Sequence, residues 1–201
     1  MLIESKYIKA LSLFVANNKE TRYYLQYINF ELHADKTIMT ACDGHVLLSI
    51  MIEKENDTVD NFSIPVSVFN NSKMYIITRK EDGRVYVGDG QCETQAPIVD
   101  TKYVDFRRAI PGKKIDGGEP AYFDPELSMK FKKASKLLGG IQWPIIYSNG
   151  LVDIGLHNVV GVQSPLRNHV ALKNCAHDSQ VKPLWMEMTI ATPELKLTKA
   201  A

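Results

Sequence analysis

The chain has 201 residues, of which 45% are hydrophobic and 23% are charged, and this composition excludes an intrinsically disordered protein. With 24 Lys or Arg and 23 Asp or Glu, the net charge is +1, which excludes a uniformly basic nucleic-acid-binding chain of the histone kind. No apolar run approaches the roughly 20 residues that span a bilayer, and residues 1–6 do not have the pattern of a signal peptide. Three separated cysteines without a Cys-x-x-Cys pattern favour a reducing, cytoplasmic location.

The first half of the chain predicts one helix followed by antiparallel strands. Apolar spacing predicts a short amphipathic helix over residues 5–16, with Ile8, Leu11 and Val15 on one face. A helical turn or two is predicted over residues 66–71, directly after Pro65. Strands are predicted over residues 23–32, 37–42, 46–52, 62–64, 74–78, 85–87 and 92–99.

The second half repeats this arrangement after a glycine-rich segment. Residues 112–123 are predicted to be a linker between two domains, at 1–111 and 124–201. A helix is predicted over residues 124–138, with Asp124 at its N-cap, Pro125 in its first turn and Gly139 at its end. Strands are predicted over residues 141–147, 151–156, 159–163 and 185–192. The predicted class is α+β, in which a helix-plus-strands module recurs about three times, starting near residues 5, 64 and 124.

Two segments carry a family resemblance. The first runs from Arg22-Tyr23-Tyr24-Leu25 to Thr40-Ala41-Cys42-Asp43-Gly44-His45-Val46-Leu47, and the second is Tyr103-Val104-Asp105-Phe106-Arg107-Arg108-Ala109-Ile110-Pro111. In this order and at this separation, they resemble the two motif blocks of the middle domain of the bacterial DNA sliding clamp, the DNA polymerase III beta subunit. The sequence departs from the family at Val46, where the family has Arg, and at Val104, where it has Pro. It is therefore similar to a shortened, divergent clamp, for which we hypothesise a phage or mobile-element origin.

The resemblance implies a protein that encloses duplex DNA and slides along it without covalent chemistry. Lysines and arginines would then face phosphates and give affinity that depends on salt and not on base sequence. The residues predicted to contact DNA are Lys6, Lys9, Arg22, Tyr23, Tyr24, Lys130, Lys132, Lys133 and Lys136. The alternative is that the lysines form the solvated face of amphipathic helices and that the tyrosines are core or cross-strand residues.

The resemblance also implies a hydrophobic groove that binds short peptides of DNA polymerases and other clamp clients. The matching positions are Leu25, Cys42, Gly44, His45, Val46, Leu47, Val104, Arg108 and Ala109. The alternative is ordinary core packing at the junction of two halves of a domain. With Val46 in place of Arg and Val104 in place of Pro, two outcomes are open: a groove with changed specificity, or loss of the groove.

Two motifs suggest a catalytic site or a metal site, but the sequence supports each of them less well than a structural role. Asp43-Gly44-His45 could be a base and its orienting carboxylate, but a turn glycine with a capping aspartate explains the motif better, and the sequence contains no evident nucleophile. His169, Cys175, His177 and Asp178 could bind a metal, but their spacing is not that of a zinc site. The sequence therefore predicts neither an enzyme nor a cofactor.

The charge is unevenly distributed along the chain. Residues 102–136 contain nine Lys or Arg and five Asp or Glu, a local charge of +4. Together with the family resemblance, this local excess favours a processivity factor in DNA replication or repair. The resemblance implies a ring of six domains, which a chain of about one and a half domains cannot close alone, so we expect a homo-oligomer. The rival interpretation is a clamp-derived module that binds replication proteins without encircling DNA.

Overall fold

The computed structural model describes residues 1–56, 58–70, 72–80, 82–97, 103–112, 114 and 122–165. Within these residues the chain forms two antiparallel sheets and two α-helices. This confirms the predicted α+β class. The strands are β1 (Leu2–Glu4), β2 (Tyr27–Leu32), β3 (Lys36–Cys42), β4 (Val46–Glu53), β5 (Asp60–Pro65), β6 (Met74–Arg79), β7 (Val85–Gly88), β8 (Glu93–Ala96), β9 (Ile145–Ile146), β10 (Leu151–Asp153) and β11 (Val159–Gln163).

The larger sheet connects the two halves of the chain. Its strand order is β5-β2-β3-β4-β11-β10-β9, and the smaller sheet has the order β1-β6-β7-β8. Strand β4 pairs with β11 from Val46 opposite Gln163 to Ile50 opposite Val159. One sheet therefore continues across the predicted boundary between residues 1–111 and 124–201. The division into two domains stays a prediction.

The main hydrophobic core lies between the helices and the sheets. Helix α1 covers Ser5–Ser12 and α2 covers Pro125–Leu138, and the two helices pack against each other. The Phe14 ring, just after α1, lies 4.8 Å from the Phe131 ring of α2, measured between centroids. Both rings are fully buried, together with Ile8 and Leu11 of α1. The two helices are thereby held side by side on the sheet.

Local sequence signals determine where α2 begins and ends. The Asp124 carboxylate accepts a hydrogen bond from the Glu126 backbone amide at 2.8 Å, and Pro125 occupies the first turn. Gly139 ends the helix in the left-handed conformation, with a φ of +80°. The predicted helix and both of its caps are confirmed.

Helix α1 is shorter than predicted. After Ser12 the chain tightens into turns in which the amides of Leu13 and Phe14 bond to carbonyls three residues earlier. The Ala16 amide then bonds to the Leu25 carbonyl at 2.8 Å, which turns the chain toward the sheet. The prediction of a helix through residue 16 was wrong for this reason.

Two predicted strands also begin later than expected. Tyr23–Gln26 forms a 3₁₀ turn, and strand β2 starts only at Tyr27, which is the first of its residues to face β5. In the second half, only Ile145–Ile146 of the predicted 141–147 strand pairs with β10. Pro144, which has no amide hydrogen, directly precedes this short strand.

The second of the three expected modules has no α-helix among its described residues. Val66–Val68 forms a single 3₁₀ turn where a helical turn or two was predicted. The predicted strand 185–192 and most of the 112–123 linker lie outside the described residues.

Candidate functional site

The lysines of α2 lie on the part of the helix that does not pack on the sheet. Phe131, Ala134 and Ser135 are buried against the core. From Leu127 to Leu138 the helix carries four lysines and no acidic residue. The helix therefore presents a positively charged surface outside its buried stripe.

These four lysines have different environments. The Lys130 Nζ donates to the Asp43 Oδ2 at 2.6 Å, so its charge is compensated by the β3–β4 turn. The Lys132 Nζ lies 3.6 Å from the centroid of the Trp143 ring. Lys133 and Lys136 are exposed and form no salt bridge with any residue that the structure describes. The predicted DNA-binding lysines are therefore not equivalent.

Helix α1 places two further predicted residues beside α2. Lys6 forms a salt bridge with Glu4 at 2.9 Å, and this hydrogen bond raises the pKa of Lys6. Lys9, in the last turn of α1, is exposed. Across the two helices, the exposed lysines without a salt bridge to a described residue are Lys9, Lys133 and Lys136.

Arg22, Tyr23 and Tyr24 lie at the loop that follows α1. The Arg22 guanidinium binds the Glu20 carboxylate through Nε at 2.9 Å and Nη2 at 3.1 Å. These bonds hold the pKa of Glu20 at about 2. Tyr23 is 50% exposed and meets the Tyr24 ring edge-on, with centroids 6.3 Å apart. An aromatic face is thus accessible here, but the positive charge of Arg22 is paired.

The β3–β4 turn explains the Asp43-Gly44-His45 motif structurally. The Asp43 carboxylate accepts hydrogen bonds from the amides of His45 at 2.8 Å and Val46 at 2.9 Å. Gly44 has a φ of +94°, and a Cβ at this position would lie 2.7 Å from Nη2 of Arg22. The positive φ favours glycine here, whereas the contact with the end of the flexible Arg22 side chain is relieved by a small movement of that side chain. The predicted capping aspartate and turn glycine are confirmed.

A cavity of about 270 Å³ lies between this turn, the loop after α1 and helix α2. Its lining includes Glu20, Asp43, His45 and Lys130. Glu20, from the loop that also carries Arg22, and Lys130 of α2 therefore line the same cavity. The cavity is lined by two carboxylates that are each bound to a basic side chain, so it has little net charge.

Three of the predicted groove residues meet in a second, smaller hydrophobic cluster. Cys42 and Val104 are partly buried against it, and Leu47 is part of it. The other members include Phe106, in the 3₁₀ turn Phe106–Ala109, and Ile110, which directly follows that turn. Burial raises the pKa of the Cys42 thiol, which makes it a packing group rather than a thiolate.

The other predicted groove residues are placed differently. Val46 is buried in the main core, on the other side of the sheet, and Leu25 is buried as well. Gly44, His45 and Ala109 are exposed at turns. Arg108 is 87% exposed and pairs with Asp105 at 3.0 Å. The structure therefore supports a Cys42–Leu47–Val104 cluster with Arg108 nearby on the chain.

Further residues from β9–β11 join this cluster and were not predicted. They are Leu151, Val160 and Val162, with Tyr147 packed at the side. Val162 lies directly opposite Leu47 in the β4–β11 pairing. The valines of residues 159–163 predict a strand, but only the pairing with β4 brings it to Leu47.

The segment that carries Val104 is fastened to strand β2 by a buried ion pair. The Arg107 guanidinium binds the Glu31 carboxylate through two hydrogen bonds, of 3.0 and 2.5 Å. The Glu31 side chain is 7% exposed. Nearby, the pKa of His33 is lowered by burial, and its Nε2 lies 3.9 Å from Oε2 of Glu31.

A second cavity, of about 370 Å³, lies next to the cluster and is lined in part by Leu151, Val160 and Asp153. Lys114 contributes to its edge and donates to the Asp153 carboxylate at 2.6 Å. This hydrogen bond raises the pKa of Lys114. The surface around the cluster thus combines apolar strand residues with Lys114, whose ammonium is bound to Asp153.

The alternative metal site of His169, Cys175, His177 and Asp178 lies outside the described residues. Within those residues, no three His, Cys, Asp or Glu side chains are close enough together to hold a metal ion. Among the described helices, none is both long and apolar enough to cross a bilayer.

The chain is similar to known proteins in its fold but not detectably in its sequence. No protein-family model and no curated protein sequence matches the chain. Among solved structures, the sliding clamp of Bacillus subtilis matches 84% of this chain with a TM-score of 0.59 at 15% identity. The DNA polymerase III beta subunit of Borrelia burgdorferi matches with a TM-score of 0.57 at 12% identity, and the clamp of Pseudomonas aeruginosa with 0.56 at 15%.

The matched region spans less than two thirds of each of these proteins, namely 64% of the B. subtilis clamp, 63% of the B. burgdorferi subunit and 65% of the P. aeruginosa clamp. The match confirms the fold that the two motif blocks predicted. The chain therefore has the fold of the bacterial DNA sliding clamps, over a shorter length.

Proposed function

We propose that the protein is a non-enzymatic, clamp-like processivity factor of DNA replication or repair, which binds duplex DNA without sequence preference and tethers client proteins. The observation that carries this proposal is the clamp fold together with the lysines of α2. Lys133 and Lys136, with Lys9 on the neighbouring helix, are exposed and unpaired within the described residues. Exposed lysines on helices give affinity for phosphates that does not depend on base sequence.

The proposed contribution of Arg22 and Lys130 to DNA binding is smaller than that of the exposed lysines. Arg22 and Lys130 are held by Glu20 and Asp43, and phosphate would have to displace these carboxylates. Tyr23, at 50% exposure, remains available to stack on a base. We therefore rank the exposed lysines of the two helices as the principal DNA contacts.

The proposed site for client peptides is the apolar cluster around Leu47, Cys42 and Val104. Apolar peptide side chains would pack there, and the exposed Arg108 would exchange its surface partner Asp105 for an acidic or polar group of the peptide. Val104 lies where clamps have proline, so we expect a peptide preference that differs from that of other clamps.

We further propose that several copies assemble, because the two α-helices of the described residues would line only part of a ring around duplex DNA. We expect these assemblies in a reducing, cytoplasmic environment, and the free thiols of Cys42 and Cys92 are consistent with this.

One observation favours a second candidate function. Three of the predicted DNA-binding cations, Lys6, Arg22 and Lys130, are paired with carboxylates. This reduces the free positive charge and suits a module that binds replication proteins through the apolar cluster without encircling DNA.

Charge reversal of Lys132, Lys133 and Lys136 separates the two functions. If the protein is a clamp, the K132E/K133E/K136E variant loses binding to labelled duplex DNA and still binds client peptide. If it is an interaction module, the wild-type protein binds peptide but not duplex, and the variant behaves like the wild type. The solution mass, measured by light scattering, then tests assembly: a monomer at working concentration contradicts the proposed ring.

A further inference from the structure

The Trp143 side chain is a large apolar group that the clamp fold leaves in solvent. It lies in the loop between α2 and β9 and is 65% exposed. The ammonium of Lys132 lies 3.6 Å from the ring centroid, within the range of a cation–π interaction. The indole is thus held next to the positively charged surface of α2, with most of its area accessible.

The charge around this ring distinguishes it from other lysine–aromatic pairs in the described residues. Three such pairs have a carboxylate on the lysine: Lys6 with Tyr7 is bound to Glu4, Lys80 with Tyr86 to Glu93, and Lys114 with Tyr147 to Asp153. Lys132 has no salt bridge to a described residue, and the next two lysines of the helix, Lys133 and Lys136, have none either. Within the described part of the chain, the charge at Trp143 is therefore uncompensated.

We propose that Trp143 and Lys132 form a stacking site for an unpaired base of single-stranded nucleic acid. The Lys132 ammonium lies over one face of the indole, so the base would stack on the opposite face, and the lysines of α2 would attract the flanking phosphates. A single strand is the partner that combines accessible flat bases with regular negative charge, whereas the bases of a continuous duplex are already stacked. This inference rests on the proposed DNA-binding function and adds a preference for junctions, gaps or single-stranded ends.

Intrinsic fluorescence provides a direct test, because the chain has two tryptophans and Trp185 can be replaced. In the W185F protein, Trp143 is the only tryptophan that emits. We expect a short oligothymidylate to quench its fluorescence, and added salt to reverse the quenching. If saturating oligothymidylate leaves the emission unchanged, the proposal is overturned. It is also overturned if anionic vesicles change the emission and the oligonucleotide does not, since the partner is then a membrane surface.

A set of matched variants measures the contribution to binding. We expect W143A to bind labelled oligothymidylate about 5- to 150-fold more weakly than the wild type, and W143F to be weakened less. The Y86A variant removes a lysine–aromatic pair that has a carboxylate, and we expect no change in its binding. Equal binding by W143A and the wild type overturns the proposal.

A second titration with labelled continuous duplex DNA separates this proposal from the proposed function. If W143A binds the duplex normally and binds the single strand more weakly, both are supported. If W143A binds the single strand as well as the wild type does, and the duplex is still bound, only the stacking site is wrong. If neither DNA binds the wild-type protein, the proposed DNA function fails together with the stacking site.

Discussion

Lys130 of helix α2 donates a hydrogen bond to Asp43 at the β3–β4 turn, with 2.6 Å between Nζ and Oδ2. The same carboxylate caps the turn by accepting from the amides of His45 and Val46. The Lys130 and Asp43 side chains are 29% and 12% exposed, so the bond is partly shielded from water. It ties the helix with the exposed lysines to the strand hairpin that carries Leu47.

This bond predicts that Lys130 contributes more to stability than to DNA binding. We expect K130Q to lower the free energy of unfolding by about 2 kcal/mol, because it leaves the Asp43 carboxylate without its cation. Urea denaturation measures this change. K136Q, at an exposed position of the same helix, is the control and should change stability by less than about 0.5 kcal/mol. Equal stability of the two variants would contradict the structural role of Lys130.

The exposed lysines should instead control the salt dependence of DNA binding. We expect the K9Q/K133Q/K136Q variant to bind duplex DNA more weakly and to reduce the slope of log K against log salt by about 0.9 for each phosphate that these lysines neutralise. Fluorescence anisotropy over a range of salt concentrations measures this slope. R84Q, on the β6–β7 hairpin, controls for a general reduction of positive charge. An unchanged slope in the triple variant would show that these lysines do not bind phosphates.

The buried Arg107–Glu31 pair should be important for the position of Val104. We expect R107A to destabilise the protein by about 3–5 kcal/mol, because the Glu31 carboxylate would remain buried without its cation. The neighbouring residue provides a control, since Arg108 is 87% exposed and R108A should cost less than about 0.5 kcal/mol. Chemical denaturation of both variants tests the difference, and similar losses of stability would contradict it.

Stability should decrease in mild acid because of His33. Burial lowers the pKa of His33 below 6.5, so the unfolded chain takes up a proton more readily than the folded one. This contribution to stability is complete above pH 6.5 and is lost as the pH falls through the folded-state pKa. The charged groups around the ring are Glu31, Asp35, Lys36 and Arg107.

Urea denaturation at several pH values tests this expectation. The H33Q variant should have a flatter dependence of unfolding free energy on pH below 6.5, whatever its absolute stability. The same slope in wild type and H33Q would assign the pH dependence to another group.

Two predicted features that depend on local signals, the caps of α2 and the β3–β4 turn, agree with the structure. Asp124, Pro125 and Gly139 determine helix α2 through caps that are visible in the sequence, and Asp43-Gly44 forms the predicted turn. The contacts of the candidate site depend on long-range pairing instead. Nothing near Leu47 in the sequence indicates that Val162 lies opposite it. Likewise, the pairing of Lys130 with Asp43 joins residues 87 positions apart, so an amphipathic helix pattern cannot reveal which lysines are free.

Retention on circular DNA tests the central claim most directly. If the protein encircles duplex DNA as an assembled ring, it should stay on a nicked circular duplex during gel filtration at moderate salt and dissociate once the circle is cut to a linear molecule. Cross-linking between copies of the chain should increase this retention. Equal elution from circular and linear DNA, or no association with either, would contradict a sliding clamp and leave the peptide-binding module as the better account.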